Sequence, residues 1–203
     1  MTAEPLPLLT PASRAELRAW LAENHATSPG VDLAVGKKGN TVTALTYDDA
    51  VEEGLAFGWI DSVAHRLDAD RYTVRFTPRR RGSIWAKSNL ARVARLTAAG
   101  LMTPAGMAVV EAAQADGSWT LLSDAENLVI PPDLAASLSA AGASAGFAAL
   151  PASQQSEALY RIGSAKRPET RERRIAETVE MALRGPASAR QARSASPSGR
   201  RPS

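Results

Sequence analysis

The stretch Arg71-Tyr72-Thr73-Val74-Arg75-Phe76-Thr77 alternates strictly between polar and apolar side chains. A period of two places Tyr72, Val74 and Phe76 on one face of a β-strand and Arg71, Thr73, Arg75 and Thr77 on the other. A strand with one apolar face has to be covered, so the chain needs a sheet with other elements packed on it. Val31-Asp32-Leu33-Ala34-Val35, ended by Gly36, and the run from Trp59-Ile60-Asp61 supply further strands.

The covering elements are helical. Ser13-Arg14-Ala15-Glu16 is a capping box, followed by a helix with Leu17, Trp20 and Leu21 inward. Thr46-Tyr47-Asp48-Asp49 opens a second helix in the same style, with Ala50, Val51 and Leu55 at helical spacing and Gly58 as its stop. A third is expected over roughly residues 84–99, ending at Gly100, and Thr103-Pro104 starts a fourth that stops near Gly117. Beyond that only helical patterns occur. They run from Pro131-Pro132-Asp133 to about Ala141, through a short helix or loop between Ala143 and Leu150, from Ser153 to Ile162, and from Pro168 to Arg184. The last turns Ile175, Val179, Ala182 and Leu183 inward and stops at Gly185-Pro186. The expected architecture is α+β, a small antiparallel sheet packed with helices. Residues 1–120 form this domain, 121–185 a helical carboxy-terminal region, and 186–203 a disordered basic tail too poor in apolar residues to fold.

Charge refines this reading. The sequence pI is about 9.6, but residues 186–203 hold Arg190, Arg193, Arg200 and Arg201 and no acid, which leaves the body with 20 basic and 21 acidic side chains. Within the body, residues 1–65 carry four bases against nine acids, and 66–95 carry nine bases against Asp68 and Asp70. One segment is strongly positive. The chain has no cysteine, which excludes disulfides and thiol chemistry. No stretch reaches the roughly 18 apolar residues of a membrane helix. Met1 to Leu9 lacks a basic n-region and runs into charged Arg14, Glu16 and Arg18, so the expected location is cytoplasmic.

Candidate chemistry is sparse. His25, at the end of the first helix, suits a capping role, and neither it nor His65 has a partner at metal-site spacing; no metal and no cofactor is expected. Asp68-Ala69-Asp70 reads as a turn, and Gly36-Lys37-Lys38-Gly39-Asn40 as a hairpin turn rather than a phosphate loop. Around Arg79 the signal is stronger, since Arg75, Arg79, Arg80, Arg81, Lys87, Arg92 and Arg95 are interleaved with Trp85 and Asn89. On a helix, Trp85, Asn89, Arg92 and Leu96 form one stripe. In one reading the arginines are solvated and Trp85 covers the edge of the core. In the other, Arg75 and Arg79 converge with Asn89 and Arg92 on an anion, which guanidinium forks bind bidentately. A second basic stretch, Lys166 to Arg174, carries acids at i, i+4 spacing and reads as a salt-laced surface helix.

Several ordered motifs carry a resemblance: Leu45-Thr46-Tyr47-Asp48-Asp49-Ala50-Val51-Glu52-Glu53, Phe57-Gly58-Trp59-Ile60-Asp61, Arg75-Phe76-Thr77-Pro78-Arg79, Ser83-Ile84-Trp85-Ala86-Lys87-Ser88-Asn89 with Arg92, and Ala165 to Ile175. Together they resemble the YdeI/OmpD-associated family, from about Ser13 to Gly185. One departure is Arg161, which stands where an aromatic is expected before Ile162. The resemblance implies a bacterial protein linked to protection against bacteriocins or cationic antimicrobial peptides and to envelope stress, associated in some members with an outer-membrane porin. It implies no catalytic residues.

The ligand-binding candidates are Trp59, Asp61, Arg75, Arg79, Ser83, Trp85, Asn89 and Arg92. The leading reading is a non-enzymatic protection protein that binds an acidic partner or small anion through them. An envelope or porin-associated protein is a further partner implied by the resemblance. A nucleic-acid module using Arg71 to Arg92 stands second, and an enzyme acting on a phosphorylated or carboxylated small molecule, with Asp61 or His65 as base, third.

Overall fold

A computed structural model describes residues 5–194, with side chains as far as residue 185. The chain divides into two compact units between Trp119 and Thr120. The first runs β1 (Leu8–Leu9), α1 (Arg14–Asn24), β2 (Val31–Gly36), α2 (Tyr47–Ala56), β3 (Trp59–Arg66), β4 (Arg71–Pro78), α3 (Lys87–Ala98) and α4 (Pro104–Ala115). The second is helical: α5 (Leu121–Glu126), α6 (Pro132–Ala140), α7 (Ser144–Ala148), α8 (Ala152–Gly163) and α9 (Pro168–Ser194). The fold is α+β, as the alternating and helical patterns require.

The sheet order is β1-β2-β4-β3. β4 is central and antiparallel to both neighbours, with Asp32 opposite Arg75 and Asp61 opposite Phe76. The two residues of β1 pair in parallel with β2, an edge too short to leave an alternating signature. Val74 and Phe76 are buried as the pattern demands, and Thr73 on the opposite face is buried as well. The segment after Gly36 turns at Asn40, whose N–H donates to the Lys37 carbonyl at 3.0 Å, but it leads to α2 rather than to a paired strand. It is a turn and not a hairpin, because β2 takes β4 as its partner.

Local signals hold at the helix starts. The Ser13 hydroxyl accepts the Glu16 N–H, but Glu16 accepts from the Ala12 N–H and not from Ser13, so the expected box at α1 is only half formed; Thr46 and Asp49 form the reciprocal one. α3 is shorter than the spacing predicts. It begins at Lys87, so Trp85 precedes the helix and does not share its stripe with Asn89 and Arg92. Trp85 instead joins Val93, Leu96, Trp59, Leu55 and Val110 in the core of the first unit.

α4 is fixed against the end of α2. The Ala56 carbonyl accepts from both the Thr103 N–H (3.1 Å) and the Thr103 hydroxyl (2.7 Å). A Cβ at Gly106 would lie 2.2 Å from the same oxygen, so only glycine permits this approach.

In the second unit Leu134, Leu138, Phe147, Leu159, Ile162, Ile175 and Ala182 make the core. Leu183, expected inward, is 61% exposed, because the single apolar stripe of α9 is already filled by Ile175, Val179 and Ala182. The helix kinks at Gly185 (φ 73°, ψ 174°), where the Gly-Pro stop was expected, and its backbone continues to Ser194. The rest of the expected tail, 195–203, lies outside the described residues. No helix among the described residues is long and apolar enough to cross a membrane.

The close approach gives a first test. Gly106→Ala forces α4 away from Ala56 and should cost about 1–3 kcal/mol, read as a lower urea midpoint with an unchanged slope.

Candidate functional site

The positive run pairs with the chain's own acids. Arg75 on β4 faces Asp32 across the register and donates through Nε at 2.9 Å and Nη2 at 3.0 Å. Arg71 closes the Asp68 turn through the same carboxylate that accepts the backbone N–H groups of Asp70 and Arg71. From α3, Arg92 reaches Asp48 at 2.6 Å and Arg95 reaches Glu52. Arg81 lies 3.7 Å from Asp116. Three acids of the first 65 residues, Asp32, Asp48 and Glu52, serve as counterions for Arg75, Arg92 and Arg95. Within the run, Arg71, Arg75, Arg81 and Arg92 lie against acids, while Arg80 stays exposed.

Arg79 differs from its neighbours. It is 9% exposed, and its guanidinium lies 3.7 Å above the Trp85 ring, which in turn contacts Trp119 at 4.6 Å. Nη2 donates to the Ile84 carbonyl, whereas Nε and Nη1 are buried without a hydrogen-bond partner. Among the described residues no carboxylate lies within ion-pair distance of it; Asp61 acts only through its longer-range field. Burial pushes its pKa down to about 10, so the side chain is still a cation at neutral pH. A buried cation without full hydrogen bonding is costly.

The other candidates divide between the core and this neighbourhood. Trp59 is 1% exposed, donates its indole N–H to the His25 carbonyl at 3.2 Å and meets Trp20 edge-on; it is a core residue. Trp85 is buried too but supports Arg79. Asn89 accepts from Arg92 at 3.3 Å, and Asp61 accepts from the Tyr47 hydroxyl at 2.6 Å. Burial, and then this bond, push the Tyr47 pKa up to about 12, which keeps the phenol a neutral donor. Ser83 donates to the Arg80 carbonyl at 2.5 Å. His25 caps α1, its Nδ1 lying 2.9 Å from the Leu21 carbonyl, and His65 is exposed on β3.

A cavity of about 210 Å³ lies beside Arg79, lined also by Arg80, Arg81, Gly82, Ser83, Trp85, Ser118 and the α4 residues Ala108, Val109, Ala112 and Ala113. Arg79, Ser83 and Trp85 are thus brought to one wall. Arg75, Asn89, Arg92, Trp59 and Asp61 are not part of the lining. Ser118, absent from the sequence candidates, is 6% exposed, and its hydroxyl has no hydrogen bond of good geometry. Even so, Ser118 holds the Asp116 carboxyl below its ordinary range. Nothing in its local sequence distinguishes Ser118; only the fold brings it to the Arg79 loop.

In the second unit, the Lys166 to Arg174 stretch turns inward as well as outward. Arg171 grips Asp133 of α6 at 2.6 and 2.9 Å and donates to the Ile162 carbonyl at 3.2 Å, while Arg174 reaches the Arg161 carbonyl. These arginines add donors to carbonyls in the last turn of α8, which also accept from the Ala165 N–H and the Ser164 hydroxyl. Arg173 and Arg161 meet Glu177 on the surface, and Arg184 meets Glu180.

The first unit is therefore an α+β domain with a polar-ended cavity, and the second a small helical domain tied by partly exposed arginine contacts. Comparison with known families separates them in the same order. Residues 9–109 match a domain of unknown function (DUF8412), and residues 127–185 match the family described as Bacteriocin-protection, YdeI or OmpD-Associated. The second match supports the resemblance over the carboxy-terminal region alone, whereas the motifs from Leu45 to Arg92 fall within the first match. No curated protein and no solved structure matches the chain.

Two tests follow from the pairing. Hydrogen bonding from Arg75 holds the Asp32 carboxyl below its usual range, against a smaller opposing effect of burial. A lowered folded-state pKa contributes stability that is present above the unfolded value of about 4 and is lost as pH falls through the folded value. Arg75→Met should therefore melt lower than the parent at about pH 7 and match it near pH 2. Arg79→Met removes a buried charge that lacks partners, so it should melt at or above the parent temperature without added ligand; a loss of several degrees would show that the guanidinium is already satisfied.

Proposed function

We propose that the chain is a non-enzymatic protection protein of the bacteriocin-protection type, and that its first unit acts by binding a small anion at Arg79. The observation that carries this reading is the Arg79 guanidinium, a buried cation in a cavity wall with two nitrogens lacking an acceptor. Retaining such a group lowers stability, and an incoming anion would recover that loss on binding. The match of residues 127–185 supplies the link to bacteriocin protection. A cytoplasmic site of action and an envelope or porin-associated partner for the second unit complete the proposal.

The nucleic-acid reading has less support. Phosphate neutralisation needs unpaired Lys and Arg side chains, and Arg71, Arg75, Arg81, Arg92 and Arg95 each lie against an acid of this unit. The enzymatic reading has Asp61 engaged by Tyr47.

The test is a peptide-challenge assay in bacteria producing the parent chain, Arg79→Met or the control Arg66→Met, exposed on β3 and outside the cavity lining, at matched abundance. Survival should fall to that of cells without the protein for Arg79→Met alone. Full protection by Arg79→Met would refute the role of this site.

A further inference from the structure

Resting on the reading of Arg79 as an anion anchor, we infer that the ligand is a small monocarboxylate with an apolar tail, its carboxylate on Arg79 and its tail along α4. The cavity presents one buried cation. Of the two further arginines at its rim, Arg81 is 82% exposed and drawn to Asp116, and Arg80 is exposed. Apart from Ser83 and Ser118, the remaining side chains are apolar: Trp85, Ala108, Val109, Ala112 and Ala113. A dianion such as phosphate would leave water for a wall that offers it a single buried countercharge, which is unfavourable. A monocarboxylate needs only that one charge. Because Nη2 serves Ile84 while Nε and Nη1 are unused, both edges of the guanidinium retain a donor for a carboxylate oxygen, and the Ser118 hydroxyl is a further polar group in the wall.

The tail is set by α4. Ala108 and Ala112 lie one turn apart on the same helix face, and both are exposed within the lining. Their small side chains keep the space open. At about 210 Å³ the cavity exceeds the roughly 150 Å³ that admits benzene in an engineered protein core, so a ring or a chain of a few carbons fits. This combination of a mostly apolar wall with few polar groups is the usual composition of a small-molecule site.

Calorimetric titration of the full chain with benzoate, pentanoate, acetate, sulfate and inorganic phosphate, at matched ionic strength, tests the assignment. Benzoate and pentanoate should bind at least about tenfold more tightly than acetate. Arg79→Met should abolish their binding. Ala112→Leu, at an exposed position, should weaken it by about tenfold or more without lowering the melting temperature, and Ala108→Leu provides the same test should the first variant fold poorly. Sulfate or phosphate binding more tightly than benzoate in an Arg79-dependent way would overturn the carboxylate assignment and leave the anion reading standing. Benzoate binding that survives both leucine variants would overturn the placement of the tail. Silence with all five anions would overturn the anion reading itself.

Discussion

Burial of the Glu53 carboxylate constrains much of the first unit. Only 2% of this residue is exposed, and an ionised group so placed needs charge and hydrogen bonds supplied at once. Arg14 Nε at 2.6 Å and Arg18 Nη1 at 2.8 Å supply them from α1. Arg14 also reaches Asp49 and Glu52, and Glu52 and Asp48 engage Arg95 and Arg92 of α3. α2 is thereby the helix to which both neighbours are tied. It sits close on the sheet, since a Cβ at Gly54 would lie 3.0 Å from the Phe76 ring. Once α2 is in place, α1 and α3 have little freedom.

This ionic framework changes what the arginine-rich run means. A local excess of positive charge in sequence suggests a partner with negative charge, and here part of that partner is the same chain, which offers Asp32, Asp48, Glu52, Asp68 and Asp116 to five of the arginines. Exposed pairs of this kind contribute little stability individually; their effect here is to leave few cations free. Arg79 stands outside the scheme because it leaves β4 into the loop ahead of α3, where Trp85, not a carboxylate, meets its guanidinium.

Much of the fold was legible in the sequence, for identifiable reasons. Strict alternation marks β4, capping residues mark α1 and α2, and Thr103-Pro104 marks α4, since each of these signals is local. β1 was missed because two residues carry no period, and the start of α3 was placed early because Trp85 falls at helical spacing from Asn89 although it is held in the core. The site was only partly legible. Arg79, Ser83 and Trp85 come together from one short segment, but the wall facing them is α4 with Ser118, brought near by tertiary packing. The pairs that engage Arg75 and Arg92 are cross-strand and interhelical, at separations of 43 and 44 residues, and sequence spacing does not report them. Their one trace was the segregation of acids before bases. In the second unit the Lys166 to Ile175 motif has a structural account, for Arg171 and Arg174 close the end of α8 and Arg171 ties α6 to α9.

The central claim is that Arg79, which has buried donors without a partner, takes up an anion, whereas Arg75 and Arg92, each already held by a carboxylate, do not. Nuclear magnetic resonance of the arginine Nε–H groups during titration with benzoate addresses it residue by residue. The account predicts a saturating shift of the Arg79 signal while those of Arg75 and Arg92 stay in place. An immobile Arg79 signal, or shifts at Arg75 and Arg92 in its stead, would contradict it.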